Sequence, residues 1–355
     1  MKINGFEGAI GALSCPLPVF EDSIVQLAHG GGGRKSAQLI ESMFVPAFAS
    51  PALEALGDGA LLDVAGTRLA FSTDSFVVQP VFFPGGDIGS LAVHGTVNDL
   101  AMCGAEPVAL SVAFVLEEGF PTADLRRIVS SMAAAASACP VPIVTGDTKV
   151  VDRGKGDGIY VNTSGIGRVR RGIDVGPRRA RPGDAVLVSG PVGDHGIAVM
   201  SARSGLEMET SLVSDSACVL PLVRAMLDAV PSTRTLRDPT RGGLATALCE
   251  IALSSGVGVT IDEAAVPVRP EVRAACELLG FDPLYVACEG RFLAIVPNEG
   301  ADRAVAALRA VSGGESACRI GEVTTGPAGR VLLRTGIGSH RRLERLSGEQ
   351  LPRIC

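Results

Sequence analysis

The sequence lacks the features that mark several protein classes. Its 9 cysteines are an odd number, and they form no CxxC pair and accompany no cluster of histidines. This pattern argues against a disulfide framework and against a zinc site. The formal net charge is -6, and no dense basic run with interleaved aromatic residues is present. Nucleic acid and anionic membrane surfaces are therefore not expected partners.

Long apolar runs are also missing. The longest, VALSVAFVL, is well short of the roughly 18 to 20 residues that a membrane span requires. The N-terminal stretch MKINGFEGAIGALSCPLP has no uninterrupted apolar segment of the kind found in signal peptides. We therefore expect a cytoplasmic protein.

What the sequence does contain is enough apolar residues for a large core. Its 355 residues are 46% hydrophobic, and a chain of this length predicts about two domains. We expect an α+β fold with this organisation: a flexible Gly-rich arm (1–36), a first α+β domain (37–170), a second α+β domain (171–336) and a flexible tail (337–355). An Arg-rich segment, RVRRGIDVGPRRARPGD, marks the crossing between the domains.

Local patterns predict the elements of the first domain. A helix is expected from Lys35 to Phe44, ending before Pro46, followed by a strand that reaches Asp74. The stretch GSLAVHGTVNDLAMCG predicts a helix with a glycine stop, and PVALSVAFVLEE predicts a buried strand. A further helix capped by Thr122 and a strand, VPIVTGDTKV, that leads into a loop complete the unit.

Acidic residues recur at the ends of apolar runs, next to Gly, Ser or Thr. They are Asp58, Asp74, Asp99, Asp147 and Asp238. Carboxylates brought together from distant segments are what a magnesium and triphosphate site needs, since hard cations take oxygen ligands. Each aspartate alone is equally well explained as a helix cap or turn residue. The five together favour a metal site.

The stretch GGGGRKS is similar to a phosphate-binding P-loop but does not match it. Arg34 stands where the pattern GxxxxGK[ST] requires a glycine, and no clear strand precedes it. The residues instead suit a mobile lid, in which Arg34 and Lys35 at a helix start bind phosphate. A simple flexible linker is the alternative.

The sequence ends on Cys355, in a polar stretch that includes Arg353. We expect this thiol to be fully exposed, with Arg353 favouring the thiolate modestly. A thiol on a flexible tail can act as a carrier that takes an acyl-type group at one site and presents it at another. The alternative is that the terminal cysteine has no role.

Several stretches together resemble one known family, the HypE hydrogenase expression/formation proteins, which are carbamoyl dehydratases. The resemblance covers nearly the whole chain except the first 20 or so residues. It rests on these stretches: HGGGGRKS, FSTDSFVVQPVFFPGGDIGSLAVHGTVNDLAMCGAEP, GDTKVVDRG, DGIYVNTSGIG, VSGPVGDHG, LRDPTRGGLATALCEIA, ACEGRF and the terminal PRIC.

This resemblance implies a fold, an activity and partners. The family belongs to the ATP-binding superfamily of aminoimidazole ribonucleotide synthetase and selenophosphate synthetase, with two α+β domains and a homodimer formed by pairing N-terminal sheets. A HypF-like carbamoyltransferase would place a carbamoyl group on Cys355. The enzyme would then use ATP and Mg²⁺ to dehydrate this S-carboxamide to a thiocyanate. A HypC/HypD-like scaffold would receive the cyanide on iron during assembly of nickel-iron hydrogenase.

The resemblance also assigns roles to residues. It implies binding of magnesium and phosphate by Asp58, Asp74, Asp99 and Asp238, with Asp147 as a further member. It implies that Lys149 polarises the carboxamide oxygen or steadies the phosphoryl group, that Glu289 takes the amide proton, that Arg34 and Lys35 close over the nucleotide, and that Thr240 and Arg241 lie near the phosphates. The alternatives are a surface ion pair for an Asp-x-Lys loop and a turn residue for Glu289.

Two other functions remain open on the sequence. A selenophosphate synthetase would carry a reactive cysteine or selenocysteine in its Gly-rich loop, but AHGGGGRKS has none and Cys15 is well upstream. A non-catalytic, nucleotide-binding carrier or scaffold would only present the tail thiol to partners. ATP consumption that depends strictly on a carbamoylated tail separates catalysis from this alternative.

Overall fold

The computed structural model describes residues 22–204, 212–348, 351 and 353–355. Cys15 and most of the predicted arm lie outside this part of the chain. The described N-terminal segment is mostly helical. It contains a 3-10 turn (Leu27–His29), α1 (Arg34–Leu39), a π-helical turn (Ile40–Phe44), α2 (Val45–Phe48) and a second 3-10 turn (Leu53–Ala55).

The first domain is built on a five-stranded sheet covered on one face by two helices. Its elements are β1 (Ala60–Val64), β2 (Thr67–Phe76), the short hairpin β3 (Phe82–Phe83) and β4 (Gly86–Asp87), α3 (Ile88–Met102), β5 (Ala105–Glu117), α4 (Thr122–Ala138), β6 (Ile143–Val151) and β7 (Ile159–Val169). The strand order is β1-β2-β7-β5-β6, antiparallel except for the parallel pair β5 and β6.

Helix α3 begins where the sequence provides a strong cap. The carboxylate of Asp87 accepts hydrogen bonds from the backbone N–H of Gly89 at 2.7 Å and of Ser90 at 3.1 Å, which satisfies two otherwise unpaired donors. The helix packs on the sheet, where the Thr163 hydroxyl of β7 donates to the Ala92 carbonyl at 3.0 Å. Asp99, in the last turn of α3, is thereby fixed in position relative to the sheet.

The second domain has a seven-stranded mixed sheet and five helices among its described residues. They are β8 (Ala185–Val188), α5 (Asp194–Ser204), α6 (Leu220–Ala229), β9 (Thr235–Arg237), α7 (Gly243–Ser255), β10 (Gly258–Asp262), α8 (Pro270–Leu279), β11 (Leu293–Val296), α9 (Ala301–Arg309), β12 (Cys318–Thr324), β13 (Val331–Arg334) and β14 (His340–Leu343). Short 3-10 turns lie at Glu263–Ala265, Pro283–Tyr285 and Asn298–Gly300. The strand order is β14-β13-β10-β12-β8-β11-β9.

One apolar cluster joins the two domains. It contains Phe76 and Leu91 of the first domain together with Leu220 and Met226 of the second, all nearly inaccessible to solvent. The functional residues therefore sit on two units that share a core rather than on units joined only by a linker. Within the described ranges, no helix is both long enough and apolar enough to span a membrane.

Several local predictions need correction. The helical segment does not end before Pro46 but runs through it to Phe48, because a proline in the first turn of α2 loses no helical hydrogen bond. Helix α4 is not capped by Thr122, which is its first residue; Pro121 occupies the N-cap. Asp147 and Lys149 lie within strand β6, in agreement with the predicted strand VPIVTGDTKV, so the alternative that placed them in an Asp-x-Lys loop is wrong.

The predicted tail also begins later than expected. Residues 340–343 pair antiparallel with β13 and form the edge strand of the second sheet. This strand was missed because its residues HRRL carry almost no apolar alternation, as is common at a charged sheet edge. The proposed limits of the other segments remain predictions.

Candidate active site

Three of the predicted aspartates meet between the domains. Carboxylate oxygens of Asp58, Asp99 and Asp238 all lie within 4.8 Å of one another, although they come from the loop before β1, from α3 and from the loop after β9. Burial, and next the neighbouring carboxylates, hold the pKa of Asp99 well above its ordinary value, and burial raises the pKa of Asp238 to about 6. Closely spaced carboxylate oxygens that repel one another fit a hard divalent cation such as Mg²⁺, whose charge would offset the repulsion.

The cluster is braced on one side by an arginine. Arg237 pairs with Asp58 at 2.8 Å and with Glu250 of α7 at 2.6 Å. On the other side, the Ser72 hydroxyl donates a hydrogen bond to Asp99. Asp74 is on β2 beside this group, where burial raises its own pKa and its charge in turn raises the pKa of Asp99. The structure thus places all four predicted metal ligands in one region, with Asp74 outside the closest set.

A cleft of about 530 Å³ opens next to the acid cluster. Thr240 and Arg241 line it just before α7, whose N-terminus carries a partial positive charge. Gly242, at the N-cap of α7, has φ 79°, and an added Cβ there would lie 2.4 Å from the Thr246 hydroxyl oxygen. A loop with this backbone beside a helix start suits binding of phosphate.

Arg34 and Lys35 are turned away from this cleft. Arg34 pairs with Glu344, and the Lys35 ammonium donates to Asp22 at 3.0 Å and to Gln26 at 2.8 Å. The side of the N-terminal helix that does line the cleft carries Gly32, Ser36, Ala37, Ile40 and Glu41. The lid role of the two basic residues stays a prediction that would require their present ion pairs to break.

Cys355 is docked in the site, so the expectation of a fully exposed thiol is wrong. Its carbonyl accepts a hydrogen bond from the Val77 N–H at 3.0 Å, and its thiol lies in a second cavity of about 270 Å³ lined by Gly30, Gly31 and Arg241 among others. Burial raises the pKa of Cys355 to about 12, and the nearby Arg241 guanidinium only partly opposes this effect. The docked side chain is therefore a neutral thiol.

Glu289 lies beside this thiol and is almost inaccessible, with 4% of its surface exposed. Burial raises its pKa well above the ordinary value, and the charges of Asp238 and Asp74 raise it further. Among the described residues, its Oε1 is buried without a hydrogen-bond partner. Once it is ionised, a buried carboxyl group with a raised pKa and an unpaired oxygen readily accepts a proton from a bound group.

The turn that carries Glu289 is fixed from both domains. Asp215 accepts hydrogen bonds from the N–H groups of Glu289 at 3.2 Å and Gly290 at 3.4 Å. The Asn98 amide, one residue before Asp99, donates to the Glu289 carbonyl at 3.2 Å. An added Cβ at Gly290 would lie 1.8 Å from the Asp215 carbonyl oxygen, which explains the glycine in ACEGRF.

Asp147 and Lys149 are not brought to this site within one protomer. They pair with each other at 2.9 Å and are 62% and 69% exposed. Asp147 is aligned across the sheet with Ala113, Asn162 and Ser75, so it stands three strands from β2, roughly 14 Å at the usual strand spacing. The pair faces the side of the sheet that α3 and α4 leave open.

Alkylation of Cys355 is expected to have an unusual pH profile. Docking favours the neutral thiol, whose pKa is raised to about 12, so the rate with iodoacetamide should stay low and still be rising at the top of the pH range, whereas the rate of an unperturbed thiol levels off above its pKa near ~8.5. The measurement is the mass of the C-terminal peptide against time between pH 7 and 10, with the free peptide QLPRIC as the control. A profile equal to that of the free peptide would contradict a docked tail.

Three site residues were missed on the sequence. Arg237 and Glu250 brace the acid cluster, and His195 contacts the tail. The position of Arg237 next to Asp238 in LRDPTRGG was an available signal. Nothing in the local pattern around His195 pointed to the tail, because that contact joins residues 159 apart.

Comparison with known proteins agrees with this geometry. The model of the AIR synthase related protein N-terminal domain matches residues 56–169, and that of the corresponding C-terminal domain matches residues 181–334. Carbamoyl dehydratase HypE of Cupriavidus necator is 56% identical over 93% of this chain and 95% of its own length.

Two solved structures are also similar over most of the chain. In a HypE-HypF complex, the matched chain is 46% identical with a TM-score of 0.83, over 87% of this chain and 99% of that one. HypE in complex with ATP is 50% identical with a TM-score of 0.79, over 94% of this chain and 100% of that one. The chain therefore belongs to the AIR synthase related proteins and, within them, to the carbamoyl dehydratase HypE family.

Proposed function

We propose that this protein is an ATP-dependent carbamoyl dehydratase that converts an S-carboxamide on its own Cys355 to a thiocyanate and so supplies cyanide for nickel-iron hydrogenase. Besides the family, one observation supports the proposal most directly. The thiol of Cys355 is docked in a cavity lined by Arg241, and the charges of Glu289, Asp74 and Asp238 act on it. A carrier that only displayed its thiol to partners would need neither a buried carboxyl group nor an arginine beside that thiol.

ATP fits the cleft beside the acid cluster. The cleft reaches from α1 to the N-terminus of α7 and has Arg345 on its wall. Similar proteins include a HypE solved in complex with ATP. Asp58, Asp99 and Asp238, with Asp74 beside them, would hold Mg²⁺, which would neutralise phosphate charge as the phosphoryl group is transferred.

The first step forms a bond between the carboxamide oxygen and the γ-phosphorus of ATP, and the bond to ADP breaks. Arg241 is suited to this step because nearby anions, the Cys355 thiolate when it forms and the Asp74 carboxylate, raise its pKa and keep it ionised. Its guanidinium is shared by the nucleotide cleft and the thiol cavity. Arg241 would therefore stabilise charge on the phosphoryl group while it orients the carboxamide.

The second step breaks the bond from carbon to the phosphorylated oxygen. Phosphate leaves with one of the two nitrogen protons, a base takes the other, and a carbon-nitrogen triple bond forms. Glu289 is the group that takes a proton from nitrogen, since its Oε1 is buried and unpaired among the described residues. Burial of the site keeps water away from the activated carbon, which would otherwise be hydrolysed.

A mass measurement tests the function. The protein would be incubated with a HypF-like carbamoyltransferase, carbamoyl phosphate and ATP, and the C-terminal peptide would be weighed. We expect a carbamoyl adduct on Cys355 that loses one water only when ATP and magnesium are present. A tail that never carries the adduct, with a carbamoyltransferase shown to be active, would favour the nucleotide-binding scaffold instead.

The open face of the first sheet supports a homodimer. Leu62, Val64, Phe71 and Ile166 all point to this face, where they are 41%, 53%, 41% and 43% exposed. An apolar sheet face of this kind is normally covered by another layer. The nucleotide cleft is lined by Phe71 from the same face, so a second protomer there would complete the wall of the site.

Lys149 would then act from the partner protomer. Mixing two inactive variants, Lys149→Ala and Glu289→Gln, should restore activity, because half of the protomers pair as mixed dimers and each mixed dimer has one intact site. We expect recovery of about a quarter of the wild-type rate after random exchange. Recovery of none, with exchange proven by native mass spectrometry, would place Lys149 outside the reaction or in its own protomer's site.

The partners and compartment follow from the same proposal. A HypF-like carbamoyltransferase is the donor, as in the solved HypE-HypF complex, and a HypC/HypD-like iron scaffold is the acceptor. The eight described cysteines are free thiols, which is typical of a reducing compartment, so we place the reaction in the cytoplasm.

A further inference from the structure

The end of the tail is held mainly through its backbone. The Val77 N–H donates to the Cys355 carbonyl at 3.0 Å, and the Gln79 N–H donates to the Arg353 carbonyl at 3.1 Å. The tail thus pairs with the chain just beyond β2 in the way that an added strand pairs with a sheet edge. Such contacts position a segment regardless of its side chains.

His195 contacts the residue of the tail that lies between these two hydrogen-bonded residues, Ile354. Its ring is fully buried at the start of α5, and Nε2 lies 2.5 Å from the Ile354 carbonyl oxygen. A carbonyl can only accept, so Nε2 carries the hydrogen. Nδ1 lies 2.8 Å from the Ser214 hydroxyl, which itself accepts from the Ser216 N–H at 3.0 Å. Ser214 must therefore donate to Nδ1, and this fixes the tautomer that binds the tail.

Two apolar side chains anchor the same segment. Ile354 and Leu351 are only 3% and 9% exposed. Gly196, next to His195, makes room for one of them, since a Cβ there would lie 3.0 Å from Leu351 Cδ1. Arg203, about two turns after His195 on α5, donates to the Arg353 carbonyl. Helix α5 therefore recognises the tail with a histidine, a glycine and an arginine.

The docked tail is also strained. Arg353 has φ 56°, in the left-handed region that non-glycine residues rarely adopt. The contacts around it must offset this cost, so loss of one of them should shift the tail toward its undocked state. Access of a carbamoyl donor to the thiol, which is only partly accessible in this cavity, would require the tail to leave.

We propose that His195 is a positioning residue that controls how long Cys355 stays docked, and that it does so through the Ile354 carbonyl. The part of this proposal that concerns catalysis rests on the proposed function. Docking is needed for dehydration and undocking for carbamoyl transfer, so loss of His195 slows the first reaction and leaves the second as fast or faster. His195 touches the backbone next to the reacting residue, not the reacting atoms.

The first test measures docking without any carbamoyl chemistry. In the full chain at pH 8, alkylation of Cys355 by iodoacetamide would be followed by the mass of the C-terminal peptide. His195→Ala should react about five- to tenfold faster than the wild type, the change expected from loss of one buried hydrogen bond. His195→Gln, whose amide can still donate to Ile354, should restore much of the protection. His340→Ala, on the exposed edge strand β14, is the matched control.

A second variant keeps the test valid if His195→Ala does not fold properly. Arg203→Ala removes a donor to the tail from a partly exposed position and should also speed alkylation, with an unchanged thermal melt. Equal alkylation rates in the wild type, His195→Ala and Arg203→Ala would overturn the proposal. The proposal would also be overturned if His195→Ala and His195→Gln were both alkylated as slowly as the wild type.

The second test separates the two reactions. Single-turnover formation of the carbamoyl adduct and of thiocyanate would be timed on the same samples. Slower dehydration with unchanged carbamoyl transfer in His195→Ala supports the proposal, and equal loss of both rates contradicts it. If alkylation changes as expected but no variant, including the wild type, forms thiocyanate, His195 still controls docking and only the proposed function fails.

Discussion

Replacement of Glu289 by glutamine is expected to slow thiocyanate formation by about 10²- to 10⁴-fold, the usual contribution of a general base. Transfer of the carbamoyl group to Cys355 should continue at the wild-type rate. The reason is geometric as well as chemical. Glu289 has a buried, unpaired oxygen in the described structure, and a glutamine of the same shape cannot take up a proton there.

The expected stability of this variant distinguishes catalysis from structure. Burial and neighbouring carboxylates raise the pKa of Glu289 well above its ordinary value, so its ionised form is unfavourable in the folded protein. Glutamine removes that cost, while the backbone contacts with Asp215 and Asn98 that hold the turn remain possible. Glu289→Gln should therefore melt at the same temperature as the wild type or at a higher one.

The measurement is a rapid-quench time course of the C-terminal peptide mass, with ADP release followed in parallel. Glu277→Gln, an exposed residue on α8, is the control for loss of a carboxylate elsewhere. If Glu289→Gln formed thiocyanate at the wild-type rate, Glu289 would not be the base. An equal loss of carbamoyl transfer would instead assign Glu289 a structural role, because weaker docking of the tail alone would leave that reaction as fast or faster.

The sequence predicted which residues form the acid cluster but not how they are arranged. Asp58, Asp99 and Asp238 were selected because polar residues at the ends of apolar runs collect where strands and helices end. The arginine brace on Asp58 could not be foreseen, since it depends on how β9 and α7 pack against the first domain. The identity of an acidic residue can be read from the local sequence. The distance between acidic residues of two domains depends on how the whole chain folds.

For the tail, the sequence led to the wrong prediction of its exposure. Its polar composition suggested full exposure, yet two apolar residues in LPRIC, Leu351 and Ile354, are buried and help the backbone hydrogen bonds to anchor it. Lys149 shows a third case. The motif identified a candidate residue, but only the sheet order reveals that it stands three strands away from β2. A role for Lys149 at the site would therefore require a second protomer, as proposed above.

Replacement of Asp99 by asparagine is expected to abolish most magnesium-dependent ATP turnover and, without metal, to stabilise the protein. Asp99 shares its oxygen cluster with Asp58 and Asp238, and removal of one ligand should cost about a hundredfold or more in rate, because metal stabilisation of the transferring group is worth several kcal/mol. Asparagine keeps an oxygen that can accept from Ser72, so the local packing is preserved.

The pH dependence gives the sign of the stability change. Burial and the other carboxylates raise the folded pKa of Asp99, so the folded state binds more protons than the unfolded state between the unfolded pKa, near ~3.9, and the higher folded pKa. Metal-free wild type should accordingly lose stability as pH rises through this window and keep that loss at neutral pH. Asp99→Asn lacks this contribution and should melt a few degrees higher in EDTA at pH 7.5.

Added magnesium should reverse the order of the two proteins. It binds the folded wild type through the intact cluster and raises its melting temperature, while Asp99→Asn should gain little. Thermal melts in EDTA and in magnesium, with exposed Asp152→Asn as the control, measure both effects. If Asp99→Asn were destabilised in EDTA and still stabilised by magnesium like the wild type, Asp99 would be a structural residue. The loss of stability that we expect for the metal-free wild type as the pH rises would then have to come from another titrating group.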